Sequence, residues 1–167
     1  MGTPSVQIYT DGAIQGNPGG LGGYAAVLLS PMKNGHLAVL EVSAAEAGTT
    51  NNRMEMRGVL LGLRSLKRPV KVTVVSDSQY VVKGMSEWIF KWLRNNPTLR
   101  GMKNADLWLE LLKASESHEV EWKWVRGHSG VRWNERADKL ATDAVKALKA
   151  SGYAQWNAEG RRYVIKD

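Results

Sequence analysis

The chain has 167 residues, 43% of them hydrophobic, enough for one domain with a full core and too few for two comfortable ones. It contains no cysteine, which excludes disulfides, thiolate metal sites and a cysteine nucleophile; any metal must then sit among oxygen or imidazole ligands, and carboxylates favour magnesium or manganese. The net charge of +7 is compatible with a polyanionic partner without requiring one, and with no leader-like start and no bilayer-length apolar run a soluble cytoplasmic protein without membrane contact is expected.

Val6 to Thr10 alternates as a half-buried strand and ends at Asp11-Gly12, an acid at a strand end that serves equally well as a turn residue. Gly16 to Gly23 is rich enough in glycine to form a tight loop whose N–H groups face an anion, although such runs are more often plain loops. Tyr24 to Leu29 and Leu37 to Val42 read as a strand pair turned at Asn34-Gly35. A helix opens near Thr49-Thr50-Asn51-Asn52, with Met56, Val59, Leu60, Leu63 and Leu66 at helical spacing. Asn52 and Glu55 stand at capping-box spacing, so Glu55 taken alone has a purely local role available.

Pro69 closes that helix before Val70 to Ser76, a β-branched run that reads as a buried central strand delivering Asp77 to its carboxyl end. Open α/β sheets bind ligands there. On this stretch alone Asp77 has the better claim as a cap for the segment from Ser78 to Val81. A break is expected at Gly84, then a helix capped by Ser86 and stopped at Asn95-Asn96-Pro97. Lys91, Arg94, Arg100 and Lys103 interleave with Trp88 and Trp92, either as a stacking, phosphate-tracking surface or as a solvated basic loop over two core tryptophans. Leu107, Trp108, Leu111 and Leu112 mark another helix, and Val120, Trp122 and Trp124 a last core strand. His128 follows in the loop Gly127 to Gly130, where a lone histidine is usually a surface residue. The final helix packs through Ala137, Leu140, Ala141, Ala144, Val145 and Leu148, with Asp138 beside that face in its first turns.

Taken together, five motifs in order resemble type 1 ribonuclease H, the ribonuclease HI family. They are Asp11-Gly12 with Gly16-Asn17-Pro18-Gly19, then Thr50 to Glu55, Asp77 to Tyr80, Gly127-His128, and Asn134 to Asp138. The likeness spans Val6 to Ala147 and implies a ribonuclease H-like α/β fold, a mixed five-stranded sheet flanked by helices. It implies a catalytic domain over residues 1–150, with 151–167 a tail of no assigned role, and no separate hybrid-binding domain ahead of the first strand. The implied activity is endonucleolytic hydrolysis of the RNA strand of RNA–DNA hybrids, by a monomer, leaving 5′-phosphate and 3′-hydroxyl ends.

In such a protein Asp11, Glu55, Asp77 and Asp138 hold two divalent cations, Mg2+ or Mn2+, and His128 assists turnover. Paired cations serve both ends of an in-line displacement, and four clustered acids without them repel one another. The resemblance also assigns Asn17, Asn51, Gln79 and Glu55 to the RNA 2′-hydroxyl, Asn52 to the DNA side, Trp88 to stacking in the DNA channel, and Thr50 and Asn104 to a DNA phosphate pocket. Two departures stand out: Gly48 replaces an arginine that many members use to complete that pocket, and the segment between Trp92 and Trp108 is shorter and less lysine-rich. The rival readings are a resolvase- or transposase-like nuclease, opposed by Asn51 and Gln79, and a non-catalytic hybrid-binding module, opposed by the retained acids and His128.

Overall fold

Apolar alternation in the first third of the chain becomes three long strands, β1 (Ser5–Gln15), β2 (Gly20–Pro31) and β3 (Leu37–Thr49), paired antiparallel in sequence order. The computed structural model describes residues 5–16, 20–151 and 156–166, with only the backbone of 156–159. At the β2–β3 turn Gly35 takes φ 86°, as the Asn-Gly pair requires. Gly20 to Gly23, expected as loop, belong to β2. The β-branched run is β4 (Lys71–Ser76), parallel to β1, and β5 (Glu119–Trp124) is parallel to β4. Parallel pairing of β4 with β1 needs a crossover, and α1 (Asn51–Arg64) supplies it by carrying the chain from β3, past β2 and β1, to β4 on the far side of β1. The helices α2 (Gln79–Lys83), α3 (Ile89–Asn95) and α4 (Ala105–Ser115) join β4 to β5, and α5 (Arg132–Ala150) follows β5.

The sheet has six strands rather than the expected five. Its order is β5-β4-β1-β2-β3-β6, where β6 (Trp156–Ile165) comes from the segment read as a tail and lies antiparallel on β3. Without it β3 would present a long unpaired edge. The pairing also gives Tyr163 and Ile165 an apolar face to join, formed by Val27, Leu29, Val39 and Ala137. The aromatic and β-branched run Tyr163-Val164-Ile165 was a strand signal, but so short a run does not reveal which edge it completes.

Each face of the sheet has its own core. On one, α1 and α4 bury Met56, Val59, Leu60, Leu63, Trp108 and Leu111 against Ile8, Val72 and Val74. On the other, α5 lays Ala137, Trp133 and Leu140 over Tyr9, Val27 and Leu29. The expected break at Gly84 does not occur. A π-helical turn, Gly84–Trp88, carries α2 directly into α3, and Ser86 Oγ donates to the Val82 carbonyl at 2.6 Å instead of capping a new helix. Gly84 is required for contact: a Cβ there would stand 2.1 Å from Cη2 of Trp108. The strand β5 is an edge rather than a core strand, with Trp124 43% exposed. No helix among the described residues is long and apolar enough to cross a membrane.

Candidate active site

Strand register brings the first two acids together. Tyr9 of β1 is opposite Val75 of β4 in parallel pairing, so two residues further along each chain Asp11 and Asp77 reach the same level. Asp11 is not a turn residue: β1 continues past it, paired with Ala25 of β2, after β4 has stopped. Side chains alternate along a strand, so Asp11 shares the α5 face with Tyr9. Asp77 does not cap α2 either, because Ser78 Oγ accepts from Val81 N–H at 3.2 Å. The Asp77 carbonyl is instead anchored by the Trp124 indole N–H at 3.0 Å, a contact that gives the exposed tryptophan a reason to be there.

Glu55 arrives from the other face on α1. The cap of that helix is Thr50, whose Oγ1 accepts from Arg53 N–H at 3.3 Å, so the expected Asn52–Glu55 capping pair does not form. Glu55 Oε1 accepts from the Gly12 N–H at 3.2 Å, and Asp11 Oδ1 accepts from the same N–H at 2.9 Å. This approach depends on Gly12, where a Cβ would lie 2.6 Å from Glu55 N and the Met54 carbonyl carbon. Each of Asp11, Glu55 and Asp77 then offers a carboxylate oxygen within 4.8 Å of the other two. Asp138, in the second turn of α5, lies outside that trio, but its carboxyl acts on both Asp11 and Asp77 and raises them.

Asp11 and Glu55 are only 4% and 5% exposed. Burial, then the charge of Asp77, pushes Asp11 up to about 8. Burial first, with the charges of Asp11 and Asp77 behind it, raises Glu55 well above the carboxylate range, and burial also raises Asp77. Glu55 Oε2 is buried without a hydrogen-bond partner. An all-oxygen cluster of crowded acids with one orphaned oxygen suits a hard divalent cation, which relieves both desolvation and repulsion. The donor set therefore fits magnesium or manganese.

The other expected site residues lie outside this trio. His128 is exposed in the β5–α5 loop at φ 52°, and its charge acts on Asp77. Asn51 and Gln79 are exposed first residues of α1 and α2, and Asn52 is half-buried beside Asn51. Asn17 lies outside the described residues. Thr50 and Asn104 are joined through Arg53, whose Nη1 donates to Asn104 Oδ1 at 3.2 Å, while Asn104 Nδ2 donates to the Tyr80 hydroxyl at 3.1 Å. Trp88 sits half-buried on the π turn, its ring 6.1 Å from that of Trp92. Gly48 occupies a left-handed conformation, φ 65°, with open space where a side chain would begin. The sequence reading missed Trp124 as an anchor of Asp77 and missed a buried glutamate, Glu41, bound by Arg136 of α5 and Tyr163 of β6. An acid in the middle of an apolar strand was the available signal for Glu41.

Comparison with known proteins gives a consistent result. The RNase H family profile matches residues 3–146. A ribonuclease H of Pelobacter propionicus is 49% identical over 152 residues, 89% of this chain and 90% of that one. A ribonuclease H of Thiobacillus denitrificans is 51% identical over 151 residues, 89% of this chain and 97% of its own. Among solved structures, a type 1 RNase H with the type 2 active-site motif superposes with a TM-score of 0.81 at 33% identity, covering 93% of this chain and 76% of that one.

Proposed function

The chain belongs to the ribonuclease H family, and from that membership we propose endonucleolytic hydrolysis of the RNA strand of RNA–DNA hybrids with two divalent cations, leaving 5′-phosphate and 3′-hydroxyl ends. The protein is a ribonuclease H, a phosphodiester hydrolase. The observation that carries the finer reading is the convergence of carboxylate oxygens of Asp11, Glu55 and Asp77 within 4.8 Å of one another, with Glu55 Oε2 buried and unpartnered. Asp11, Glu55, Asp77 and Asp138 would hold the cations, magnesium or alternatively manganese. When bound, these supply water activation and neutralisation of the leaving oxygen.

The chain's own residues account for the rest. The Gly12 N–H fixes Glu55 Oε1 and leaves Oε2 without a partner, available to a cation or to a ribose hydroxyl. Exposed Asn51 and Gln79, together with Asn17, read the 2′-hydroxyl as donor and acceptor, and Asn52 reaches the DNA side. Thr50 and Asn104, held in place by Arg53, take a DNA phosphate, and Trp88 stacks on the DNA strand. Exposed His128 takes up or releases a proton beside Asp77 as products depart. The protein acts as a monomer in the cytoplasm. Incubation with end-labelled RNA–DNA hybrid, double-stranded RNA and double-stranded DNA, with magnesium, manganese or EDTA, tests this reading. Metal-dependent cutting of the hybrid RNA alone, with ligatable 5′-phosphates, is expected; a bound but uncut hybrid, or cut DNA, would overturn it.

A further inference from the structure

The helix carrying Asp138 starts without a cap of its own: Val131, at its N-cap, makes no side-chain hydrogen bond. Its beginning is tied both to the preceding loop and to the sheet. Glu135 Oε1 accepts from Gly130 N–H at 3.2 Å, and Arg136 reaches the sheet, where Nε and Nη2 donate to Oε2 and Oε1 of Glu41 at 2.6 and 2.9 Å. Glu41 is 3% exposed in the middle of β3. Its Oε2 also accepts from the Tyr163 hydroxyl of β6 at 2.8 Å. The Arg136 hydrogen bonds, with help from Tyr163, hold the Glu41 carboxyl below the usual range, so it stays ionised. A two-pronged guanidinium–carboxylate pair locked by a third donor has one geometry. The Arg136 side chain is 31% exposed, but taking the Glu41 carboxylate out of water offsets much of what the pair gains, so the orientation it fixes is its better explanation.

Arg136 and Asp138 are two residues apart on α5, where side chains point to different sides. One grips β3 while the other acts on the Asp11 carboxyl. We propose that Glu41, Arg136 and Tyr163 are positioning residues that set the first turns of α5, and through them Asp138, against Asp11. The C-terminal strand β6 is then part of the support of the hydrolytic site. This rests on the reading of Asp138 as a metal ligand.

The test compares Glu41→Gln, Tyr163→Phe and Asp138→Asn, singly and as the Glu41→Gln/Asp138→Asn pair. It measures manganese binding by calorimetry without substrate, kcat and KM on hybrid, and thermal melting. Glu41→Gln is expected to weaken manganese binding and lower kcat by about tenfold, the lower end for groups that act through a ligand, with KM unchanged. Tyr163→Phe is expected to do the same to a smaller extent while melting cooperatively. In the Asp138→Asn background, Glu41→Gln should weaken manganese binding no further, because its effect passes through Asp138. Should Glu41→Gln fail to fold, Tyr163→Phe, which keeps the ring, decides. Wild-type manganese binding in the folded positioning variants, or losses that add in the double variant, would overturn the proposal. If Asp138→Asn itself leaves manganese binding unchanged, the ligand reading falls first, and the positioning role with it.

Discussion

Replacing Asp11 by asparagine should make the metal-free protein more stable near neutral pH. The carboxyl is nine-tenths or more buried, and its pKa rises from an ordinary 3.8 to about 8. The folded state therefore keeps a proton that the unfolded chain releases above about pH 4, so stability is full below that value and falls as pH rises towards 8. At about 1.36 kcal/mol per unit, the loss accumulated by pH 7 is at most about 4 kcal/mol. Asp11 shares its environment with Glu55 and Asp77, which spreads the effect, so roughly 2–4 kcal/mol is expected back in Asp11→Asn. For a chain of this size that is roughly 5–15 °C in Tm. The amide oxygen of the variant can still accept from Gly12 N–H, so the backbone contact at 2.9 Å is kept. Circular-dichroism melts in EDTA from pH 4 to 8 measure it: the gap should be small at pH 4, widen to pH 8, and narrow when magnesium stabilises the parent. Equal melting at pH 7, or a gap independent of pH, would refute the reasoning.

Asp77→Asn should abolish cleavage and still bind hybrid, whereas His128→Ala, exposed on its loop, should lose orders of magnitude less; equal turnover losses would show the ranking to be wrong. Gly84→Ala drives a methyl into the Trp108 ring and should destabilise by roughly 1–3 kcal/mol in urea unfolding, an unchanged midpoint contradicting the packing argument. Gly48→Arg should steepen the salt dependence of hybrid binding by about 0.7–0.9 in slope, one phosphate contact. Its left-handed backbone, φ 65°, should cost about 1 kcal/mol of stability for the same change. A folded variant with the parent's salt slope would remove Gly48 from the DNA path.

Periodicity located the three antiparallel strands, the β-branched strand before Asp77 and the helices α1, α4 and α5, because each element writes its buried face into local spacing. The five motifs likewise carried the family into view, since their residues and their order are properties of the chain alone. Local spacing could not decide between cap and site for Asp77 and Glu55. That choice depends on Ser78 and Thr50 capping α2 and α1, and on Gly12 admitting Glu55 to the acids. The break placed at Gly84 failed for a similar reason, because what the glycine accommodates, Trp108, is distant in sequence. The level meeting of Asp11 and Asp77, the place of β6 on β3, and the grip of Glu41 on Arg136 and Tyr163 all join segments far apart in the chain. A residue's own neighbours fix its local conformation; which distant surface it meets is set by strand register and packing, and only the tertiary structure decides that.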